Sequence, residues 1–253
     1  MRVHCCQLDI VWEDKRANYA RVRSLLEAAR VAPGSLVILP EMFATGFSMN
    51  VAGIAEASQG PTAQFLGGVA QELGIFIVGG FATVGPDRRG LNQAGVFDPA
   101  GAEIARYTKV HPFTPGGESA YYARGDAISW FPCNGFTASP FICYDLRFPE
   151  EFRAATRRGT QLFIVIANWP APRESHWTTL LQSRAIENQA YVVAVNRSGS
   201  DPKFTYFGRS TIIDPRGEVI ADAGAKEGVI SADVDLEALL KYRLEFPVLG
   251  DMV

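Results

Sequence analysis

The chain has 253 residues, 47% of them hydrophobic and 20% charged, with a formal net charge of −3. That length is the upper end of one α/β domain and supplies apolar material for a sizeable core. The small negative charge, without any basic cluster interleaved with aromatics, argues against nucleic acid or anionic lipid as a partner.

Strand and helix patterns alternate from the start. VHCCQLDI (3–10) reads as a strand on which Cys5 and Cys6 point to opposite faces. A helix is expected over 16–30, with Tyr19, Val22, Leu25, Leu26 and Ala29 on one face. SLVILP (35–40) is a short apolar strand, TAQFLGGVAQEL (62–73) a weaker helix and GIFIVGGF (74–81) a strand. NQAGVFDPAGAEIARY (92–107) makes two strands joined at Asp98-Pro99-Ala100-Gly101. The Pro- and Gly-rich stretch 110–125 reads as a long loop, a length often tied to function in compact domains. FTASPFICYD (136–145) is a strand interrupted by Pro140, FPEEFRAATRRG (148–159) a short helix stopped by Gly159, and QLFIVIAN (161–168) a fully apolar strand. A helix near 174–189, the strand AYVVAVN (190–196) and the strand–turn–strand GRSTIIDPRGEVIA (208–221) follow. The strand GVISADVD (228–235) and the helix LEALLKYR (236–243) come last.

SLVIL and LFIVIA are apolar on both faces, so both faces are covered, while the hairpins make the sheets mixed. The β-α-β-β order and a D-P-x-G turn recur in both halves. A single domain over 1–253 is expected, α/β in class, with two similar halves in a layered α-β-β-α sandwich. MRVHCCQLDI lacks the apolar core of a secretion signal, and no apolar run approaches the ~20 residues that span a bilayer, so a cytosolic protein is expected. Cys5, Cys6, Cys133 and Cys143 form no C-x-x-C pair, and His4, His111 and His176 add no ligand cluster. Reduced thiols and no metal or other cofactor are expected.

Three polar residues stand directly after apolar strands: Glu41 after LVILP, Lys109 after the strand ending at Thr108, and Cys143 at the end of PFIC. Ligands collect at strand carboxyl ends in sheets covered by helices. Singly, each residue reads as a loop carboxylate, a surface lysine or a small buried hydrophobe. Together they supply an amidase's chemistry. A thiol of ordinary pKa, about 8.5, needs a base, and Glu41 can take its proton as Cys143 attacks an amide carbonyl. Glu41 then protonates the departing ammonia and activates water against the thioester. Lys109 and the Tyr144 N–H can stabilise the oxyanion. A Cys–His pair is the weaker alternative, since the sequence shows no acid or amide to orient His111.

LPEMFATGF, RYTKVHPF and FICYDLRFPE resemble, in order, the three catalytic blocks of the nitrilase (carbon–nitrogen hydrolase) superfamily. The resemblance spans nearly the whole chain. It implies the α-β-β-α sandwich, a Glu41–Lys109–Cys143 triad and a second glutamate, Glu118 in PGGES, that holds the lysine and the substrate amide. Residues 168–201 look like the ω-amidase branch, which removes ammonia from short α-keto or dicarboxylic acid monoamides. A small anionic substrate calls for a cation near the pocket, for which Arg147, Arg173 and Arg197 are candidates. Arg147 and Arg197 equally suit structural ion pairs. Phe43, Trp169 and Tyr144 are expected to line the pocket. Asp201-Pro202 replaces the family's usual Asp-Gly, and Ser119 stands where this branch leads one to expect histidine; both bear on substrate preference. The family implies a homodimer, with KYRLEFPVLGDMV packing across it. The competing readings are an N-carbamoyl or nitrile hydrolase of the same superfamily and a non-catalytic binding protein of this fold.

Overall fold

The computed structural model describes residues 1–252, and of residue 86 the main chain alone. The first half contains β1 (Arg2–Gln7), α1 (Lys15–Ala29), β2 (Leu36–Ile38), the one-turn α2 (Val51–Ile54), α3 (Pro61–Leu73), β3 (Phe76–Val84), β4 (Gly90–Phe97) and β5 (Glu103–Thr108). The short α4 (Glu118–Tyr121) and β6 (Tyr122–Ala123) lie within the stretch expected to be loop. The second half begins with β7 (Phe131–Cys133), β8 (Phe136–Ile142), α5 (Pro149–Arg157), β9 (Leu162–Ala167), α6 (Glu174–Asn188) and β10 (Tyr191–Asn196). It continues through the hairpin β11 (Ser198–Ser200) and β12 (Thr205–Phe207), then β13 (Thr211–Ile213), β14 (Val219–Asp222), β15 (Gly228–Asp233) and α7 (Leu236–Glu245). The expected elements are present with shifted ends. α2, β7 and the β11–β12 hairpin are additions, each too short to show a hydrophobic period.

Two sheets have the orders β15-β1-β2-β3-β4-β5 and β14-β13-β10-β9-β8-β7, with β6 beside β4. In each, three parallel strands (β1-β2-β3 or β8-β9-β10) lead into two antiparallel ones (β4-β5 or β13-β14). An antiparallel strand, β15 or β7, closes the other edge. The halves are thus topological copies. Their D-P-x-G turns are built alike: Asp98 Oδ1 accepts the N–H groups of Ala100 and Ala102, and Asp214 Oδ1 those of Arg216 and Glu218. Beyond Ala138, β8 is paired on its β9 side only, where a strand tolerates a proline such as Pro140.

The sheets face each other, β1 across β10 and β4 across β8. Cys5, Ile38, Val96 and Tyr107 of one sheet share a core with Phe141, Ile164 and Val193 of the other. Phe152 of α5 and Trp177 and Leu181 of α6 cover the second sheet's outer face, while Val22 of α1 and Leu66 and Val69 of α3 cover Cys6, Val37 and Ile77 of the first. The expected α-β-β-α sandwich of mixed sheets results, and each fully buried aliphatic side chain in it contributes about 1.5–3 kcal/mol. No described helix is long and apolar enough to cross a membrane. The carboxyl ends of β2, β5, β8 and β9 meet at one edge, where the polar residues gather.

Candidate active site

Glu41 lies three residues beyond β2. β3 passes its main chain closely at Gly80, where a Cβ would come within 2.6 Å of Glu41 Cα and Met42 N. Glycine therefore permits the approach. The Gly80 N–H donates to Pro40 O (3.1 Å), and the Phe43 N–H to Gly80 O (3.0 Å).

Lys109 follows β5 and its N–H donates to Asn92 O on β4, 2.9 Å away. Its Nζ donates to Glu41 Oε1 (2.9 Å) and Glu118 Oε2 (2.8 Å). Glu118 reaches it because Gly117, at φ 80°, turns the chain into α4. The Phe113 N–H then donates to Glu118 Oε2 at 2.5 Å. Glu41 and Glu118 are 0% exposed and Lys109 1%, so Glu118 is no surface loop carboxylate. Asn168, after β9, closes the other side: its N–H donates to Glu41 Oε2 (2.8 Å) and its Nδ2 to Glu41 O (2.7 Å).

Cys143 begins a 3₁₀ turn to Arg147, and its φ is 49°. A non-glycine residue there is strained and persists only where the surroundings enforce it. Asp145 does the enforcing. Its Oδ2 accepts the Ile142 N–H (3.0 Å) and the Tyr107 O–H (2.8 Å), and its Oδ1 accepts the His111 N–H (2.9 Å). His111 Nδ1 is also 3.0 Å from Asp145 Oδ1, so His111 has the acidic partner that the sequence did not reveal. Its ring stacks on Phe148 and lines a neighbouring cavity with Arg89 and Ser119, apart from the pocket over Cys143. Ser119 therefore does not line the pocket over Cys143 itself.

Burial pulls the Lys109 ammonium down, but the Glu118 and Glu41 carboxylates outweigh it and hold its pKa well above the ordinary lysine value. Burial pushes the Glu118 carboxyl up, with Lys109 opposing. Burial, then the Glu41 charge, holds the Cys143 thiol well above its usual range. The resting thiol is thus protonated and needs a proton acceptor when it attacks. Lys109 has three ammonium hydrogens and bonds two carboxylates, leaving one donor available.

The pocket over Cys143 is lined by Phe47, Tyr144, Arg147, Trp169, Arg173 and Tyr206, among others. Phe43 is not among them. It is fully buried under α1 and α3, with ring centroids 6.2 Å from Tyr19 and 6.1 Å from Phe65, and Phe47 takes the pocket position instead. The Arg147 guanidinium stacks over Trp169 (4.7 Å), and its Nη2 is 3.1 Å from His176 Nδ1. Among the described residues neither Arg147 nor Arg173 has a carboxylate within salt-bridge distance. Burial, then the neighbouring Arg173 charge, lowers the Arg147 pKa. Arg197 is structural: fully buried, it donates to Ser198 O, Ile10 O and Ser200 O and pairs with Asp9. Asp201 anchors the β11–β12 hairpin, which brings Phe204 and Tyr206 to the pocket. Among the described residues, no group of three His, Cys, Asp or Glu side chains is placed to hold a metal.

Cys143 is partly exposed and lines the pocket, whereas Cys5, Cys6 and Cys133 are buried out of a reagent's reach. The native protein is therefore expected to take up one equivalent of iodoacetamide, at Cys143. Peptide mapping checks this, and equal labelling of all four cysteines would contradict it.

This constellation on a duplicated sandwich belongs to a known class. The carbon-nitrogen hydrolase family model matches residues 2–244, so the chain belongs to that family and is an amidase acting on linear amides. It is 34% identical over 251 residues to the 2-oxoglutaramate amidase of Bacillus subtilis, covering 99% of this chain and 96% of that one. It is 35% identical over 253 residues to the ω-amidase YafV of Escherichia coli K12, again covering 99% and 96%. Among solved structures it resembles XC1258 of Xanthomonas campestris, a CN-hydrolase superfamily protein with an arsenic adduct in the active site. That match has a TM-score of 0.93 and 35% identity, covering 100% of this chain and 97% of the other.

Proposed function

We propose that this amidase is an ω-amidase that releases ammonia from the terminal amide of short α-keto or dicarboxylic acid monoamides, through a thioester on Cys143. The observation that carries the substrate class is the pair Arg147 and Arg173, two guanidinia without carboxylate partners beside the thiol. Unpaired cations at a pocket favour an anionic substrate end, and a guanidinium holds a carboxylate well. Tyr144 and Trp169 flank the chain of the substrate.

In the proposed sequence Cys143 Sγ bonds to the amide carbon while Glu41 accepts the thiol proton. The spare Lys109 hydrogen and the Tyr144 N–H hold the oxyanion. Glu41 passes its proton to the leaving nitrogen, the carbon–nitrogen bond breaks, and ammonia departs. Water then attacks the thioester as Glu41 takes its proton. The carbon–sulfur bond breaks, the acid is released, and the sulfur recovers a proton from Glu41. Glu118 holds Lys109 and the substrate amide throughout.

Ammonia release from 2-oxoglutaramate, against a neutral amide of equal length, tests this reading. Arg147→Ala is expected to raise KM for the keto acid about 10–100-fold and to change the neutral amide little. Preference for neutral amides, N-carbamoyl compounds or nitriles would overturn the substrate assignment.

The same proposal takes the chain as one domain, working in the cytosol as a homodimer. Its four cysteines are unpaired, which suits a reducing compartment. Ile186, Leu240, Leu244 and Phe246 expose apolar surface on α6, α7 and the residue after it. Sedimentation at micromolar concentration should give a dimer; a monomer would remove this part of the proposal.

A further inference from the structure

Asn92 touches Glu41, Lys109 and Glu118 together. Its backbone carbonyl accepts the Lys109 N–H at 2.9 Å. Its Nδ2 donates to Glu41 Oε1 at 2.7 Å and to Glu118 Oε1 at 2.8 Å. The residue is 1% exposed, and its Oδ1 has no partner among the described residues. A buried asparagine serving packing alone would satisfy both ends of its amide. Here the carbonyl is left unpaired and both amide hydrogens go to carboxylates. The opposite flip would set that oxygen against two carboxylates, so the orientation is fixed.

We propose that Asn92 is a positioning residue that clamps Glu41 and Glu118 around Lys109 and keeps both carboxylates free of protons, so that Glu41 is ready to accept the proton of Cys143. This rests on the reading of Glu41 as the proton acceptor. Two carboxylates sharing one ammonium behave as a coupled pair, and protonation of one of the two is the competing state. Each Asn92 hydrogen bond favours the ionised form of its acceptor and opposes that protonation. The ionisable groups acting on the pair are Lys109, Cys143, Tyr122 and Tyr206. The tyrosines are held protonated by burial, so they supply no competing charge near neutral pH.

Asn92→Leu keeps the shape and removes both donors. Without them the pair takes up a proton at higher pH, and activity is lost from the acid side. The midpoint of the acid limb of kcat/KM is expected to rise by about one pH unit, and kcat at neutral pH to fall about 10–100-fold, with KM within about threefold. Should Asn92→Leu fail to fold, Asn92→Ser, too short to reach both carboxylates, is read the same way. A lower kcat with an unmoved acid limb would overturn the proposal and leave Asn92 a packing residue. Glu41→Gln separates the two readings: if it retains turnover, Glu41 is not the acceptor, and that premise fails whatever the Asn92 profile does.

Discussion

Replacing Cys143 with alanine is expected to lower ammonia release by a factor on the order of 10⁵–10⁶ and to leave the fold intact. The two halves of that expectation have separate causes. Cys143 lies on the pocket floor, and the turn that carries it is held by Asp145 through Ile142, Tyr107 and His111, none of which involves the sulfur. The melting temperature should therefore move by no more than about 1 kcal/mol of stability implies. Arg147 and Arg173 remain in place, so calorimetry should find substrate binding within a few-fold of wild type. Chemistry is what disappears, because among the described residues no other thiol and no serine or threonine hydroxyl lines the pocket. Acid-quenched wild-type enzyme should carry the mass of an acyl group on Cys143, and the variant none. Turnover persisting in Cys143→Ala would end the covalent mechanism.

Glu41, Lys109 and Cys143 were legible because each follows closely on the carboxyl end of a strand, and strand ends that share an edge meet. The repeated D-P-x-G turn, with its aspartate bonding two N–H groups, likewise announced the duplication. Asn92, Asp145 and Asn168 gave no such signal. Each is a buried polar residue beside apolar sequence with decisive partners far along the chain; Asp145 meets Tyr107 across 38 residues and Asn168 meets Glu41 across 127. Phe43 was misplaced for a local reason. Met42 adopts φ 44°, and that left-handed step sends Phe43 into the outer core and lets Phe47 reach the pocket. No pattern of residue types encodes it. The β11–β12 hairpin escaped because SGS and TYF are too short to alternate, although they bring Tyr206 to the site.

Lys109→Met should cost both activity and stability, and the stability loss carries a pH signature. Methionine is of similar length but leaves Glu41 and Glu118 as two fully buried like charges held by Asn92 alone among side chains they share. Removing one member of a buried ion pair destabilises by about 3–5 kcal/mol, a large part of the ~5–15 kcal/mol that holds a domain together. In the wild type, Lys109 has its pKa raised in the fold. Its contribution is full below the unfolded value of about 10.4 and is lost only as pH rises through the folded value, so it is constant between pH 5 and 8. In the variant the carboxyl pair instead takes up protons more readily than in the unfolded chain, where glutamate titrates near about 4.3. The folded state then binds more protons than the unfolded, and stability falls as pH rises above that value. The melting deficit of Lys109→Met relative to wild type should accordingly be larger at pH 8 than at pH 5. A deficit that is equal at both would mean that the two glutamates do not depend on the ammonium for their charge.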